Sequence, residues 1–436
     1  LKMNLKINLS KLFWSYSLCL FPLFILVGPL IAEFYIFAII IFTHIHIINE
    51  RKIYFLNNKY LIFFILFYIS TIFSTLLNFY NFDYSKSAIF FFRFPIFSIA
   101  IWYVLKTYNV FSKKIVFLYS LFLLTIIIDA LIQYYFGKNI LGYEILRNRI
   151  SSFFGDELIL GSFIIRVIPI FLVYLIMTDS IKENKINIFY SLIISFSFVI
   201  VYLSGERTSF FLLILFFLTL FILSKYLRKL IIFIMISSIA LSLIITKLQT
   251  NNQLNPSNRM FQKTYQQIIG DGKNTIESKK KLFNKVYIFS HDHHGHYLLA
   301  YKIFKDYPVF GSGVKGFRYL CRNKIYILEN NDGCSTHPHN TYIQILASNG
   351  IIGFSLIIFA FIYILREIFL CKKKLNSQII FDKNELSKGV ILLFIFMNLW
   401  PLVPTGNFFN NWISMINFYP IGFYLYFKHL NEKKIN

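Results

Sequence analysis

The chain has 436 residues, 57% of them hydrophobic, with 53 Phe and a mean hydropathy of +0.60. A soluble domain of this length cannot bury that much apolar surface, so the long uncharged runs read as membrane spans. The formal net charge of +24 is explained by basic residues gathering on one side of a membrane, and nucleic acid is excluded as the reason for it.

Lys2, Lys6 and Lys11 precede the first apolar run, and no small-residue cleavage site follows it. That run reads as a retained first helix. Twelve candidate spans follow in order: 12–28, 31–48, 60–78, 87–105, 115–136, 158–178, 187–203, 208–224, 230–247, 341–366, 388–404 and 409–427. With the N-terminus in the cytoplasm, the cytoplasmic segments hold 23 Lys and Arg against five in the short external loops. The positive-inside rule requires this asymmetry. Both termini are then cytoplasmic. The expected fold is an all-α polytopic membrane protein in three parts: spans 1–9 over 1–247, one large periplasmic loop over 248–340, and spans 10–12 over 341–436.

Arg93, Asp129 and Arg166 fall within spans. Such charges are costly and either serve a function or pair with one another. The three either face one outward-opening, water-filled cavity or pair internally for packing. The fifth external crossing, Arg147 to Glu157, mixes two cations with two anions. Arg149 there opposes the charge bias, so topology does not account for it. Between spans 7 and 8, Ser204-Gly205-Glu206-Arg207-Thr208 is a very short turn. It holds Arg207 at a helix N-terminus, where free backbone N–H groups and a guanidinium make a phosphate cradle. The competing reading is a Glu206–Arg207 pair that satisfies the turn.

In the large loop, Phe261 to Ile269 and Tyr297 to Phe304 have helical spacing, and Lys279-Lys280-Lys281 reads as a solvated face. His291, His293, His294 and His296 lack cysteine or carboxylate partners at zinc-site intervals, so they read as a polar cluster or as substrate contacts. No metal is assigned. Cys321 and Cys334 share the loop, thirteen positions apart. On the oxidising side of a bacterial inner membrane they are expected to form a disulfide. The loop ends in Thr336-His337-Pro338-His339-Asn340. Pro338 suits a first helical position with Thr336 as cap, which places His339 in the first turn of a helix to about Glu367. Gly350 and Gly353 then return near the His339 stripe and leave a smooth patch for close approach by another helix or a lipid tail.

His339-Asn340, a nine-residue gap and Gly350-Ile351-Ile352-Gly353 together resemble the His-Asn/Ser/Gln, nine-residue gap, Gly-x-x-Gly pattern of the O-antigen ligase and polymerase superfamily. Arg149 through Arg166, Gly205-Glu206-Arg207-Thr208, Pro308-x-x-Gly311-x-Gly313 with Phe317-Arg318, and the two external cysteines are similar to segments of that superfamily. The resemblance covers about residues 145–366. It implies a GT-C-like glycosyltransferase of the bacterial inner membrane, with its active site facing the periplasm and with no metal or other cofactor. The implied donor is a glycan on undecaprenyl diphosphate. The implied acceptor is lipid A–core or another lipid-linked glycan. The chemistry is displacement of the diphosphate by a hydroxyl. His339 is then the general base, and Arg207 and Arg149 meet the diphosphate, with Arg166 and Arg318 behind them. Glu206, Asn340 and His337 complete the expected substrate-binding set. Two departures stand out. Ligases commonly carry an arginine ahead of the Pro-x-x-Gly-x-Gly turn, where this chain has His293, His294 and His296, with Arg259 the candidate substitute. Ser348 and Asn349 stand where an acidic residue often precedes the first motif glycine. The competing reading is a transporter or flippase of lipid-linked glycans.

Overall fold

The computed structural model describes residues 12–78, 82–108, 110–181, 184–248, 256–262, 265, 291–326, 333–377 and 381–432. Lys2, Lys6, Lys11, the Lys279–Lys281 run, most of the expected 261–269 helix and the His291 side chain lie outside the described residues. Among the described residues the regular structure is helical, apart from two isolated bridges in the 137–149 loop.

The helices are α1 (12–19), α2 (Phe21–Val27), α3 (Pro29–Asn49), α4 (Lys59–Leu77), α5 (Phe82–Ile89), α6 (Arg93–Thr107), α7 (Lys113–Phe136), α8 (Leu160–Met177), α9 (Asn184–Leu203), α10 (Arg207–Leu223), α11 (Arg228–Lys247), α12 (His291–Asp306), α13 (Gly316–Leu320), α14 (Thr341–Ser377), α15 (Lys383–Asn398) and α16 (Asn411–Glu432). Among the described residues seven helical stretches are long and apolar enough to cross a membrane, and two shorter apolar helices, Asn187–Leu203 and Arg207–Leu223, join them. The molecule is a polytopic α-helical membrane protein.

Burial sorts centre from rim. In α8, 83% of the apolar window is buried, against 22% in α11 and 28% in α4. The rim helices turn residues such as Ile62, Leu66, Ile236 and Leu243 outward, as lipid-facing surfaces do. Small residues bring the central helices close. A Cβ at Gly422 would meet Ile101 Cβ at 2.5 Å, so α16 lies tight on α6, and Ser98 Oγ donates to Phe418 O at 2.7 Å across that contact.

Three expected boundaries shift for local reasons. The first span is broken at Leu20, before Pro22, into α1 and α2. The span expected over 388–404 ends at Asn398, because Pro401 and Pro404 cannot continue it. The connection between α15 and α16 therefore runs from 399 to 410 and not over the four residues expected. Finally, α14 runs on to Ser377 and breaks at Gly350, whose φ of 62° and ψ of −162° are not helical.

Candidate active site

His339 lies outside the helix. Its φ is +57°, in the left-handed region. Asn340 is the cap: its Oδ1 accepts from Tyr342 N at 3.0 Å and Ile343 N at 3.2 Å. This corrects the expectation that Pro338 starts the helix and Thr336 caps it. Thr336 instead donates its hydroxyl to His337 Nδ1 at 2.9 Å, and the opposite ring nitrogen of His337 donates to Thr405 O at 3.3 Å. The 399–410 segment closes over this turn. Thr405 N donates to His339 O at 2.8 Å, and Asn340 Nδ2 donates to Pro401 O and Val403 O at 2.9 and 3.3 Å.

Four imidazoles nest here. The His339 ring centroid lies 4.1 Å from His337, 5.2 Å from His296 and 5.7 Å from His293. His296 is fixed by donating Nδ1–H to Gly333 O at 2.8 Å. Burial, reinforced by His337, His296 and His293, lowers the His339 pKa to about 3. His337 falls to about 4 through burial, against its bond to Thr405, with His296 and Arg318 adding to the fall. Both rings are therefore neutral at neutral pH. Arg318, on α13, is close enough to act on His337, and its Nε is buried without a partner among the described residues. The Cys321–Cys334 disulfide ties the end of α13 to the strand of loop that enters the histidine turn, with Cα atoms 5.1 Å apart.

The two glycine motifs meet backbone to backbone. A Cβ at Gly350 would stand 2.3 Å from Val309 O, and one at Gly311, φ +77°, 2.3 Å from Ser348 C. Ser312 N and Gly313 N donate to Ala347 O and Ser348 O, each at 2.9 Å, and Ile351 N donates to Pro308 O at 2.9 Å. The break at Gly350 frees carbonyls and an N–H that the 308–313 turn then satisfies. The close approach expected at these glycines exists, but the partner is this turn rather than a helix or a lipid. A polar stripe on α4 backs the joint: Ser74 Oγ donates to Ser348 O at 2.6 Å, and Asn349 Nδ2 donates to Thr71 Oγ1 at 2.9 Å. Ser348 and Asn349 are thus structural at the break.

A second polar cluster surrounds Gly205. Glu206 accepts from Gly161 N at 2.7 Å, Ser162 N at 3.0 Å and Ser209 Oγ at 3.0 Å, and pairs with Arg149 at 3.4 Å. It caps the neighbouring α8, so Glu206 also ties α8 and α10 to the loop carrying Arg149. Arg149 donates to Ser204 O and Leu158 O at 3.1 and 2.7 Å. Arg259 donates to Gly205 O at 3.2 Å, and a Cβ at Gly205, φ +68°, would meet Arg259 Cδ at 2.6 Å. Burial lowers the pKa of Arg259, and Arg149 and Arg207 lower it further. Three guanidiniums therefore repel one another around one carboxylate, an arrangement that favours an anion. Burial raises the Glu206 pKa, against Arg149 and the backbone donors.

Both clusters stand at the same end of the bundle. At the other end Lys383 Nζ donates to Met177 O at 3.1 Å, and a Cβ on Gly389 would meet Leu223 at 2.7 Å and Cys371 at 3.0 Å. The C-terminal ends of α8, α10 and α14 are gathered there, so their N-terminal ends, with Gly161, Arg207 and the His339 turn, are gathered opposite. Residues 192–358 match the family described as O-antigen ligase. The match supports a place for this stretch in the O-antigen ligase-like superfamily. No curated protein matches the chain.

The matched stretch contains the Gly205 turn, Arg207, Arg259, the 308–313 turn and the histidine nest. Arg149, Arg166 and the 399–410 segment come from outside it. The charged residues of the spans have different partners. Arg93 is paired with Glu33 through Nη2 and Nε at 2.7 and 2.9 Å, donates to Asn411 Oδ1 at 3.1 Å and also donates to Phe90 O. Asp129 is fully buried and accepts from Ile140 N at 2.9 Å, Asn139 Nδ2 at 3.2 Å and Ser152 Oγ at 2.5 Å. Gln133, one turn on, accepts from Ser151 N and Ser152 N at 2.8 and 2.7 Å. Both residues fold the 137–152 loop over α7. Arg166 differs. It donates to neutral groups, Ser162 O and Oγ at 2.7 and 2.5 Å, its Nε is buried without a partner among the described residues, Trp412 lies 5.9 Å from its guanidinium carbon, and Glu206 is near enough to act on its charge. Among the described residues no group of His, Cys, Asp or Glu is arranged to hold a metal.

Proposed function

We propose that the chain is a metal-independent glycosyltransferase that moves a glycan from undecaprenyl diphosphate to an acceptor hydroxyl in surface-polysaccharide assembly, as an O-antigen polymerase or ligase. What supports this reading is that a partly buried, neutral imidazole and a cluster of three arginines around one carboxylate stand at the same end of a bundle that carries the O-antigen ligase match. In the reaction the acceptor oxygen attacks the anomeric carbon, His339 takes its proton, and the bond from that carbon to the diphosphate oxygen breaks. The leaving diphosphate is met by Arg207 and Arg149, with Arg259 beside them and Arg166 and Arg318 as further cations. Asn340 and His337 hold the turn that carries the base.

A ring of pKa about 3 is neutral but weakly basic. A bound diphosphate places negative charge nearby, and negative charge favours the imidazolium. Donor binding thus raises the basicity of His339 at the moment it is needed. The wider proposal has twelve spans in a GT-C-like arrangement in a bacterial inner membrane, the histidine end facing the periplasm and both termini in the cytoplasm. Residues 1–247 and 341–436 form the membrane part and 248–340 the external part. Lipid A–core or another lipid-linked glycan is the acceptor.

The test is transfer from a lipid-linked glycan by purified protein in liposomes. Wild type is expected to transfer glycan, and a correctly inserted His339→Asn variant to fall by roughly 10²–10⁴-fold. Full activity in that variant overturns the assignment of the base. Deletion in the host separates the two outcomes: single-repeat lipopolysaccharide identifies a polymerase, and bare core with accumulated lipid-linked polymer a ligase.

A further inference from the structure

The end of the bundle opposite the histidines holds a cavity that the proposed transfer does not use. It lies where α3, α6 and α16 end. Lys52, Tyr54, Lys106, Thr107 and His429 line a space of about 560 Å³, within the range of roughly 300–1,000 Å³ usual for small-ligand sites. Its wall is ordered. Lys106 Nζ donates to Tyr54 Oη at 2.6 Å and to His429 Nε2 at 2.8 Å, and sits 4.2 Å over the Tyr54 ring. Tyr54 and His429 are stacked, 5.9 Å apart and 12° from parallel. Lys52 approaches Glu50 at 2.6 Å. Two ammonium groups therefore face one space, with Glu50 at its edge.

What such a space takes is set by its surroundings. Along α3, Phe34, Phe37, Ile41, Ile45 and Ile48 are exposed at intervals of three and four residues, so they form one apolar stripe running toward Lys52. A soluble anion has no use for the stripe, whereas an acyl chain does. This end also carries the basic segments of the chain, Arg51 and Lys52, Lys113 and Lys114, and Lys372 to Lys374. Such segments face the leaflet that is rich in anionic lipid. Trp102 beside His429, 5.5 Å between ring centroids, and Tyr54 supply the amphipathic rings found at headgroup depth.

We propose that this cavity binds the headgroup phosphate of an anionic phospholipid, with Lys52 and Lys106 as its cations and the acyl chains lying along the Phe34–Ile48 stripe. The site lies apart from the transfer chemistry and stands whether or not that chemistry is as proposed. The test is lipid retention by the full-length protein in native mass spectrometry, comparing phosphatidylglycerol with phosphatidylcholine of the same chains. Preferential retention of phosphatidylglycerol is expected, with a fall of roughly thirtyfold in K52Q/K106Q, about fivefold for each lysine. The K52R/K106R protein keeps the lipid. If the double glutamine variant does not fold, Lys52→Gln alone, at a partly exposed position, is expected to lose about fivefold. Equal retention of both lipids, or unchanged retention in Lys52→Gln, overturns the proposal. Displacement of phosphatidylglycerol by millimolar glycerol phosphate overturns it too, by showing a site for a free anion.

Discussion

His339 has a left-handed backbone and a partly buried ring among three other imidazoles. Asparagine tolerates that backbone better than most residues. The His339→Asn protein should therefore keep its fold and lose rate, whereas His339→Ala mixes strain with chemistry. The pH profile follows from the lowered pKa. With the free-enzyme base titrating at about 3, kcat/KM should be flat from about pH 5 to 8, and the acid limb of kcat should lie higher because the donor is bound. A limb in kcat/KM near pH 6.5 would show an unperturbed ring. Stability carries the same signature. The folded pKa values of His337 and His339, about 4 and 3, lie below the ordinary value of 6.5, so the unfolded chain binds more protons between those limits. Stability is complete above pH 6.5 and is lost as pH falls toward 4, by at most about 1.4 kcal/mol per pH unit for each ring. Melting curves at pH 7.5 and 5 should differ more for wild type than for His337→Gln. The histidine motif itself could be read from spacing, but not the conformation around it. Pro338 and Thr336 look like helix-start residues, and only the Asn340 side chain, bonded to Tyr342 N and Ile343 N, shows where the helix begins.

At the level of elements, the informative features are joints. Glu206 links α8 to α10 and to the loop carrying Arg149. Replacing it by Ala leaves Arg149 and two backbone N–H groups without their acceptor, which should cost about 3–5 kcal/mol, seen as a lower melting temperature in detergent. Glu206→Gln should lose less, because its carbonyl still accepts from one of those N–H groups. Gly350→Ala should destabilise by at least about 1–3 kcal/mol from its positive φ alone, before the clash with Val309 O. Gly353→Ala tests a different contact, since its Cβ would meet Asn349 Cβ at 2.2 Å across the break. The glycines of both motifs are plain in the sequence, but their mutual contact is not, because nothing local says that residues 308–313 and 348–351 touch. The start of the 399–410 segment is hard to place from sequence for a clear reason: its apolar composition suits a span, whereas Pro401 and Pro404 forbid one. The signal in the sequence for Arg259 is Gly205, which makes room for it.

For the whole molecule, hydropathy and charge show a polytopic helical bundle without any tertiary information, since apolar length is written directly in the chain. Which intramembrane charges are structural is not written there. Arg93 and Asp129 resemble Arg166 in sequence, and only their partners separate them: a direct ion pair with Glu33 for the first, a folded loop for the second, and for the third hydrogen bonds to neutral groups with Glu206 acting at longer range. Arg166→Leu is therefore expected to reduce transfer with little loss of stability, while Arg93→Leu, which strands Glu33, should lower the melting temperature markedly. Residual transfer and melting temperature measured on the same preparations check both. The Cys321–Cys334 bridge should be worth about 3 kcal/mol in the chain-entropy argument, and C321S/C334S should show it as earlier proteolysis of the external part.

The break at Gly350 has a mechanical meaning. Residues 341–349 are fastened to the 308–313 turn and to α4, Ile351 and Ile352 are tied to the same turn, and the rest of the helix continues with an outward apolar face. Both sides of the break are therefore anchored at one joint. The proposed base is positioned by that joint, ahead of the helix's outward-facing length.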